Sequence, residues 1–198
     1  FFLACGPGQD GDSTESAPAL GDSASGSDGQ DSGDETNEGL RFVPQSEDGA
    51  SVVGLEPSRY LGLWYEIATT PSQQQSFCSG TMAEYSLVDD ATIGVVNSCY
   101  VGGLDGRLNE ANATARPIDE TFARLLVDFG FGFEAPYTVI ELVDPPGDEP
   151  YSYAVVSSSD IQFWILSRTP QMPDEIYETL LDLIDDRGAD SSRLIATD

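Results

Sequence analysis

The sequence predicts an all-β domain: an eight-stranded antiparallel up-and-down barrel with a C-terminal α-helix packed outside it and a short final strand. Three observations carry this. Short strand candidates follow one another at close spacing, at approximately 63–70, 79–88, 92–100, 108–117, 121–129, 136–144, 151–158 and 161–168. Turn chemistry separates them, most clearly at Asp89-Asp90 and at Asp144-Pro145-Pro146-Gly147-Asp148. After Pro170 the period changes: Ile176, Leu180, Leu183 and Ile184 fall on one face of a helix. Closing the strands into a barrel removes their open edges.

Before the first strand the chain reads differently. Phe1-Phe2-Leu3-Ala4-Cys5-Gly6 is read as the end of a lipoprotein signal peptide, with Cys5 the lipidation residue; the alternative is a signal-peptide remnant with an incidental Cys. Residues 6–50 are rich in Ser, Gly, Asp and Glu, too polar to offset their ordering entropy, and are assigned to a disordered acidic tether. A coil of that length reaches roughly 35–40 Å. It would hold the domain, residues 51–198, clear of a membrane. No later apolar run approaches the about 18 residues of a membrane-spanning helix.

At the other end, Pro173 suits a first-turn position, and Asp174 and Glu175 favour the positive end of the helix. Gly188 can end it, and Arg193-Leu194-Ile195-Ala196 supplies the final strand.

Charge excludes whole classes of function. The 198 residues carry 8 basic and 35 acidic side chains, a net charge of −27. Nucleic acid is a poor partner, because binding it relies on cations neutralising phosphates, and anionic membrane surfaces are disfavoured likewise. All the basic residues are Arg, and there is no His or Lys. A His-based triad, a His-ligated metal site or a Schiff-base lysine is therefore excluded, and no metal, cofactor or catalytic residue is assigned.

Cys78 opens the second strand candidate and Cys99 ends the third, on opposite sides of the Asp89-Asp90 turn. A hairpin brings them together at its open end, so a disulfide is expected in an exported chain; two reduced, buried thiols are the alternative.

Two stretches carry the strongest motif: Gly62-Leu63-Trp64-Tyr65-Glu66, preceded by Arg59-Tyr60-Leu61, and Trp164-Ile165-Leu166-Ser167-Arg168-Thr169-Pro170. In a closed barrel the Arg168 guanidinium can lie across the Trp64 indole, a contact worth roughly 0.5–2 kcal/mol. With this signature of Gly62, Trp64 and Arg168, the chain from about Leu55 onward resembles the lipocalin family, most of all its bacterial outer-membrane lipoprotein branch, to which apolipoprotein D is related.

The Trp64–Arg168 contact sets which strand positions point inward: Trp64, Glu66 and Ala68 on the first strand, and Trp164, Leu166 and Arg168 on the last. The resemblance implies the rest of the register: Ala83, Tyr85, Ile93, Val95, Ala111, Ala113, Ala115, Leu125, Val127, Phe129, Tyr137, Val139, Ala154 and Val156. Small residues among a few aromatics predict a long, mostly apolar cavity; a barrel plugged by its own side chains is the alternative. Its ligand-binding wall is assigned to Glu66, Ala68, Ala83, Tyr85, Ile93, Val95, Ala113, Leu125, Val127, Phe129, Tyr137, Val139, Val156 and Trp164. Glu66 is the one acidic side chain assigned inside. Arg116 and Arg124 fall on the outward parity, so a buried ligand carboxylate would find no partner.

The resemblance implies a membrane-anchored, non-enzymatic lipocalin of the bacterial cell envelope, an outer-membrane lipoprotein. It would bind, store or transport a small hydrophobic ligand such as a lysophospholipid or fatty acid. A cavity enzyme acting on a lipid, and an envelope structural or interaction lipoprotein, are the competing expectations.

Overall fold

A computed structural model describes residues 40–71, 77–130, 132 and 134–197. Cys5 and the tether as far as residue 39 lie outside the described residues. The elements in chain order are α1 (Pro57–Tyr60), β1 (Gly62–Thr69), β2 (Cys78–Asp89), β3 (Thr92–Val101), β4 (Arg107–Pro117), β5 (Arg124–Asp128), β6 (Glu134–Leu142), β7 (Tyr153–Ser159), β8 (Gln162–Ser167), α2 (Asp174–Asp186) and β9 (Ile195–Ala196). Each of β1 to β8 pairs antiparallel with the next, and β8 pairs back with β1, closing the barrel. The short β9 adds to β1 at Ala68 and Thr69.

Two apolar clusters follow from strand alternation. The inner one fills the barrel with Trp64, Ala83, Tyr85, Ile93, Val95, Leu125, Val127, Tyr137, Val156, Trp164 and Leu166 among others. The outer one lies between the barrel wall and α2, where Leu180 and Ile184 cover Val155, Phe163 and Ile165. The helix ends as the sequence predicted. Gly188 takes φ +77, its N–H donates to Asp185 O at 2.8 Å, and Ala189 N–H donates to Ile184 O at 3.3 Å. That paired arrangement satisfies the last carbonyls through a left-handed residue that glycine adopts without strain.

Four expectations are corrected. First, residues 41–50 belong to the domain rather than to the tether. Phe42 bridges Val143, Gln45 bridges Val52, and Val43 and Val52 are buried in the inner cluster. Ser46 and Asp48 pin the turn between them, Ser46 Oγ donating to Asp48 Oδ1 at 2.7 Å. Apolar residues within a polar stretch supply the burial that the composition average hid. Second, β5 begins at Arg124, not at 121. Thr121 donates to Asp119 Oδ1 from its N–H (3.0 Å) and its hydroxyl (2.5 Å), Ala123 N–H donates to Thr121 Oγ1, and Phe122 takes φ +55. Those local side-chain bonds hold a turn in place of the ladder. Third, Arg193 lies in a 3₁₀ turn over Ser191–Arg193, so the final strand is only Ile195–Ala196.

The fourth bears on the interior. The β1–β8 register shifts between Glu66 and Ala68: Glu66 pairs with Leu166, but Ala68 pairs with Ile165. A bulge adds one residue and reverses the alternation beyond it. Ala68 therefore faces outward into the cluster under α2 and is not part of the interior wall.

Candidate functional site

The floor of the barrel is built around Arg168. Its guanidinium carbon lies 3.8 Å from the centroid of the Trp64 ring. Nε donates to Tyr151 O at 3.0 Å, Nη1 to Leu63 O at 2.8 Å, and Nη2 to Arg59 O and Tyr60 O at 2.9 and 3.0 Å. One planar fork thus ties together α1, the start of β1 and the segment leading into β7. Gly62 is favoured beside it by its backbone rather than by space: its φ is +95, whereas an added Cβ would lie at an ordinary contact distance of 3.6 Å from Arg168 Nη1. The indole Nε1 of Trp64 donates to Tyr60 O at 2.8 Å. Burial lowers the pKa of Arg168 from its ordinary value, yet a guanidinium titrates too high to lose its charge at neutral pH.

Above the floor, three buried tyrosines join through their hydroxyls. Tyr60 and Tyr137 approach to 2.6 Å, and Tyr85 donates to Tyr137 at 3.0 Å. Burial pushes all three phenols above the ordinary value, Tyr137 with the added effect of its two neighbours. They are neutral throughout the ordinary pH range.

Above this cluster lies a chamber lined by Tyr85, Val95, Asn97, Val127, Tyr137, Val156, Trp164 and Leu166. Its free volume is about 10 Å³, room for one water-sized group. The long cavity expected from the small residues is thus narrowed here by aromatic side chains. Residues 72–76, 131 and 133, which follow β1 and β5 in the chain, lie outside the described residues.

Most of the assigned wall is where the sequence placed it. Ala83, Tyr85, Ile93, Val95, Ala113, Leu125, Val127, Phe129, Tyr137, Val139, Val156 and Trp164 all join the inner cluster, and six of them line the chamber: Tyr85, Val95, Val127, Tyr137, Val156 and Trp164. Glu66 is buried, and its Oε1 accepts from Thr197 Oγ1 at 2.8 Å, beside β9. It is not among the chamber-lining residues. Arg116 pairs with Glu134 on the exposed outer surface and Arg124 with Asp119, so neither cation faces in. Asn97 was missed. It is 6% exposed, lines the chamber, and its Oδ1 has no hydrogen-bond partner among the described residues. The alternation Ile93, Val95, Asn97 already pointed it inward.

Toward the mouth, Cys78 and Cys99 form a disulfide with Cα atoms 5.4 Å apart, spanning the open end of the β2–β3 hairpin. No metal-binding group of three or more Cys, Asp or Glu side chains occurs among the described residues.

A closed eight-stranded barrel with an outside helix, an arginine stacked on the first-strand tryptophan and a largely apolar interior defines a class of small-ligand-binding proteins. The chain belongs to the lipocalin family: the lipocalin-like domain model matches residues 55–198. It is 36% identical over 162 residues to a candidate lipocalin, R877, of Acanthamoeba polyphaga mimivirus, covering 78% of this chain and 90% of that protein. It is 35% identical over 146 residues to the outer membrane lipoprotein Blc of Vibrio cholerae, covering 73% of this chain and 82% of Blc. Among solved structures, insecticyanin from the tobacco hornworm Manduca sexta superposes with a TM-score of 0.58 at 22% identity, over 81% of this chain and 89% of that one. The family is known for binding small hydrophobic ligands.

Proposed function

We propose that this protein is a lipid-anchored, non-catalytic carrier whose barrel binds a small hydrophobic ligand that is neutral or zwitterionic, or whose charged head stays in water at the mouth. One observation carries the reading: the described chamber has no charged side chain in its lining. A carboxylate drawn into it would be buried without a counter-ion, which is costly. The tyrosines there are held neutral by burial and supply no positive charge to offset a carboxylate. The chamber's small volume means that the ligand's body lies nearer the mouth and only a small group reaches this depth.

Blc is an outer membrane lipoprotein, and the Ala4-Cys5-Gly6 sequence supports the same placement for this chain, with Cys5 as the anchor and the acidic segment as spacer. Transport then consists of exchange through the mouth, with no covalent step. The disulfide engages both Cys78 and Cys99, which leaves neither available as a cavity nucleophile.

Native mass spectrometry of freshly purified protein is expected to show a co-purified lipid-sized adduct that organic extraction removes. A fatty acid should bind no tighter at neutral pH than its uncharged methyl ester. Much tighter binding of the acid would refute the proposed ligand class, and no binding of either would refute the carrier role.

A further inference from the structure

We propose that the chamber above the tyrosine cluster receives a hydroxyl group, so that the ligand is an alcohol whose O–H donates to Asn97 Oδ1. This rests on reading the barrel interior as the ligand site. The first observation is the buried acceptor itself. Asn97 is 6% exposed and its Oδ1 meets no donor among the described residues, although a buried carbonyl is ordinarily satisfied. The other polar groups of its lining are the two phenols and the Trp164 indole N–H. Whatever enters beside Asn97 must therefore bring a donor.

The second observation is a proton count. Tyr60, Tyr85 and Tyr137 have three hydroxyl protons but only two mutual hydrogen bonds, Tyr85 to Tyr137 and Tyr60 with Tyr137. Each phenol owns one proton, so one O–H of the cluster is left without an acceptor among the described residues. With Tyr60 donating to Tyr137, the spare proton is Tyr137's, and the chamber then offers one acceptor at Asn97 and one donor at Tyr137. A hydroxyl both donates and accepts. A carboxylate only accepts and needs a cation; an ester, ether or ketone only accepts and would face the Asn97 oxygen lone pair to lone pair.

Size makes the third point. About 10 Å³ admits one oxygen-sized group and excludes a phosphate or a glycerol headgroup. The apolar body of the ligand then continues toward the mouth, past the Cys78–Cys99 bridge.

The test uses the delipidated full chain and displacement of an environment-sensitive fluorophore. Four ligands share one saturated chain: myristyl alcohol, the alkyl fluoride that keeps the size of the hydroxyl but lacks its donor, the methyl ketone, and myristic acid. The alcohol is expected to bind about tenfold tighter than the fluoride, the worth of one well-placed buried hydrogen bond. In Asn97→Leu, which keeps the volume, that ratio should fall to about one while the fluoride still binds. Equal binding of alcohol and fluoride to the natural protein overturns the hydroxyl assignment and leaves the apolar-ligand reading standing. Tighter binding of the ketone than the alcohol also overturns it, since the Asn97 amide would then present its nitrogen. If none of the four binds, both readings fall. Because the ligand series on the unaltered chain decides the matter, a variant that fails to fold does not protect the proposal.

Discussion

At the floor of the barrel a half-buried cation meets four carbonyl oxygens and an indole face; further up the wall a buried amide oxygen meets no donor among the described residues. Both are polar groups withdrawn from water, Asn97 on β3 and Arg168 just past the end of β8, yet their accounting differs. Arg168 exchanges hydration for four carbonyl acceptors and an aromatic face, so it stabilises the fold. Asn97 gives up water and gains no described partner at Oδ1, a cost of about 1–3 kcal/mol to the empty protein. The contrast separates groups that hold the molecule together from a group whose partner arrives from outside.

The largest expected effect tests the floor. Trp64→Ala removes a fully buried indole, its hydrogen bond to Tyr60 O and the platform under Arg168. Denaturant unfolding should show a loss of about 3–5 kcal/mol; a loss below about 1 kcal/mol would show that the floor is not what closes the barrel. Reducing the Cys78–Cys99 bridge, which joins residues 21 apart, should cost about 3 kcal/mol in the same assay by freeing the unfolded chain. An unchanged midpoint would place the mouth outside the cooperative unit.

Alkaline titration sharpens the comparison between floor and surface. Tyr60, Tyr85 and Tyr137 have folded pKa values raised above the ordinary 10.0, chiefly by burial. The folded state therefore keeps protons that the unfolded chain releases. Their contribution is fully present below about pH 10 and is lost as pH rises above it. Tyrosinate absorbance should show these three ionising only with unfolding; early, reversible titration of all eight tyrosines would break the picture of a sealed phenol cluster.

Smaller still is the expected cost at the chamber. Asn97→Leu should be neutral or stabilising by up to about 1 kcal/mol in the ligand-free protein, because it removes an unsatisfied carbonyl at constant volume. A loss above about 2 kcal/mol would mean that Asn97 is a structural group like Arg168. The smallest effect belongs to Ala68→Ser. This position faces α2 rather than the interior, so ligand affinity should stay within about twofold while stability falls by about 1 kcal/mol. A large affinity change would restore Ala68 to the ligand wall.

How far the sequence reaches is visible in these same residues. Strand parity is a local property of the backbone, so Trp164 was legible as inward once Trp64 and Arg168 were paired, while the register of the resembled family placed Tyr85, Val95 and Val127 inward. Asn97 shares the parity of Ile93 and Val95, but its polar side chain breaks the apolar pattern that marks an interior wall. Ala68 was not legible. Its orientation depends on one extra residue in a ladder, and nothing in Glu66-Ile67-Ala68 distinguishes a bulge from a regular strand.

The amino-acid order alone determined the strands and turns, the amphipathic helix with its glycine stop, the pairing of Trp64 with Arg168 and the hairpin disulfide. Those depend on alternation, period and turn chemistry within short windows, and on one motif at long range. Only the tertiary structure decided that residues 41–50 dock on the barrel, that Ala68 turns outward, and that the interior beside Asn97 narrows to a chamber of about 10 Å³. These are residuals of packing. They depend on how distant side chains share one volume, and no local pattern encodes what is left over when that volume is filled.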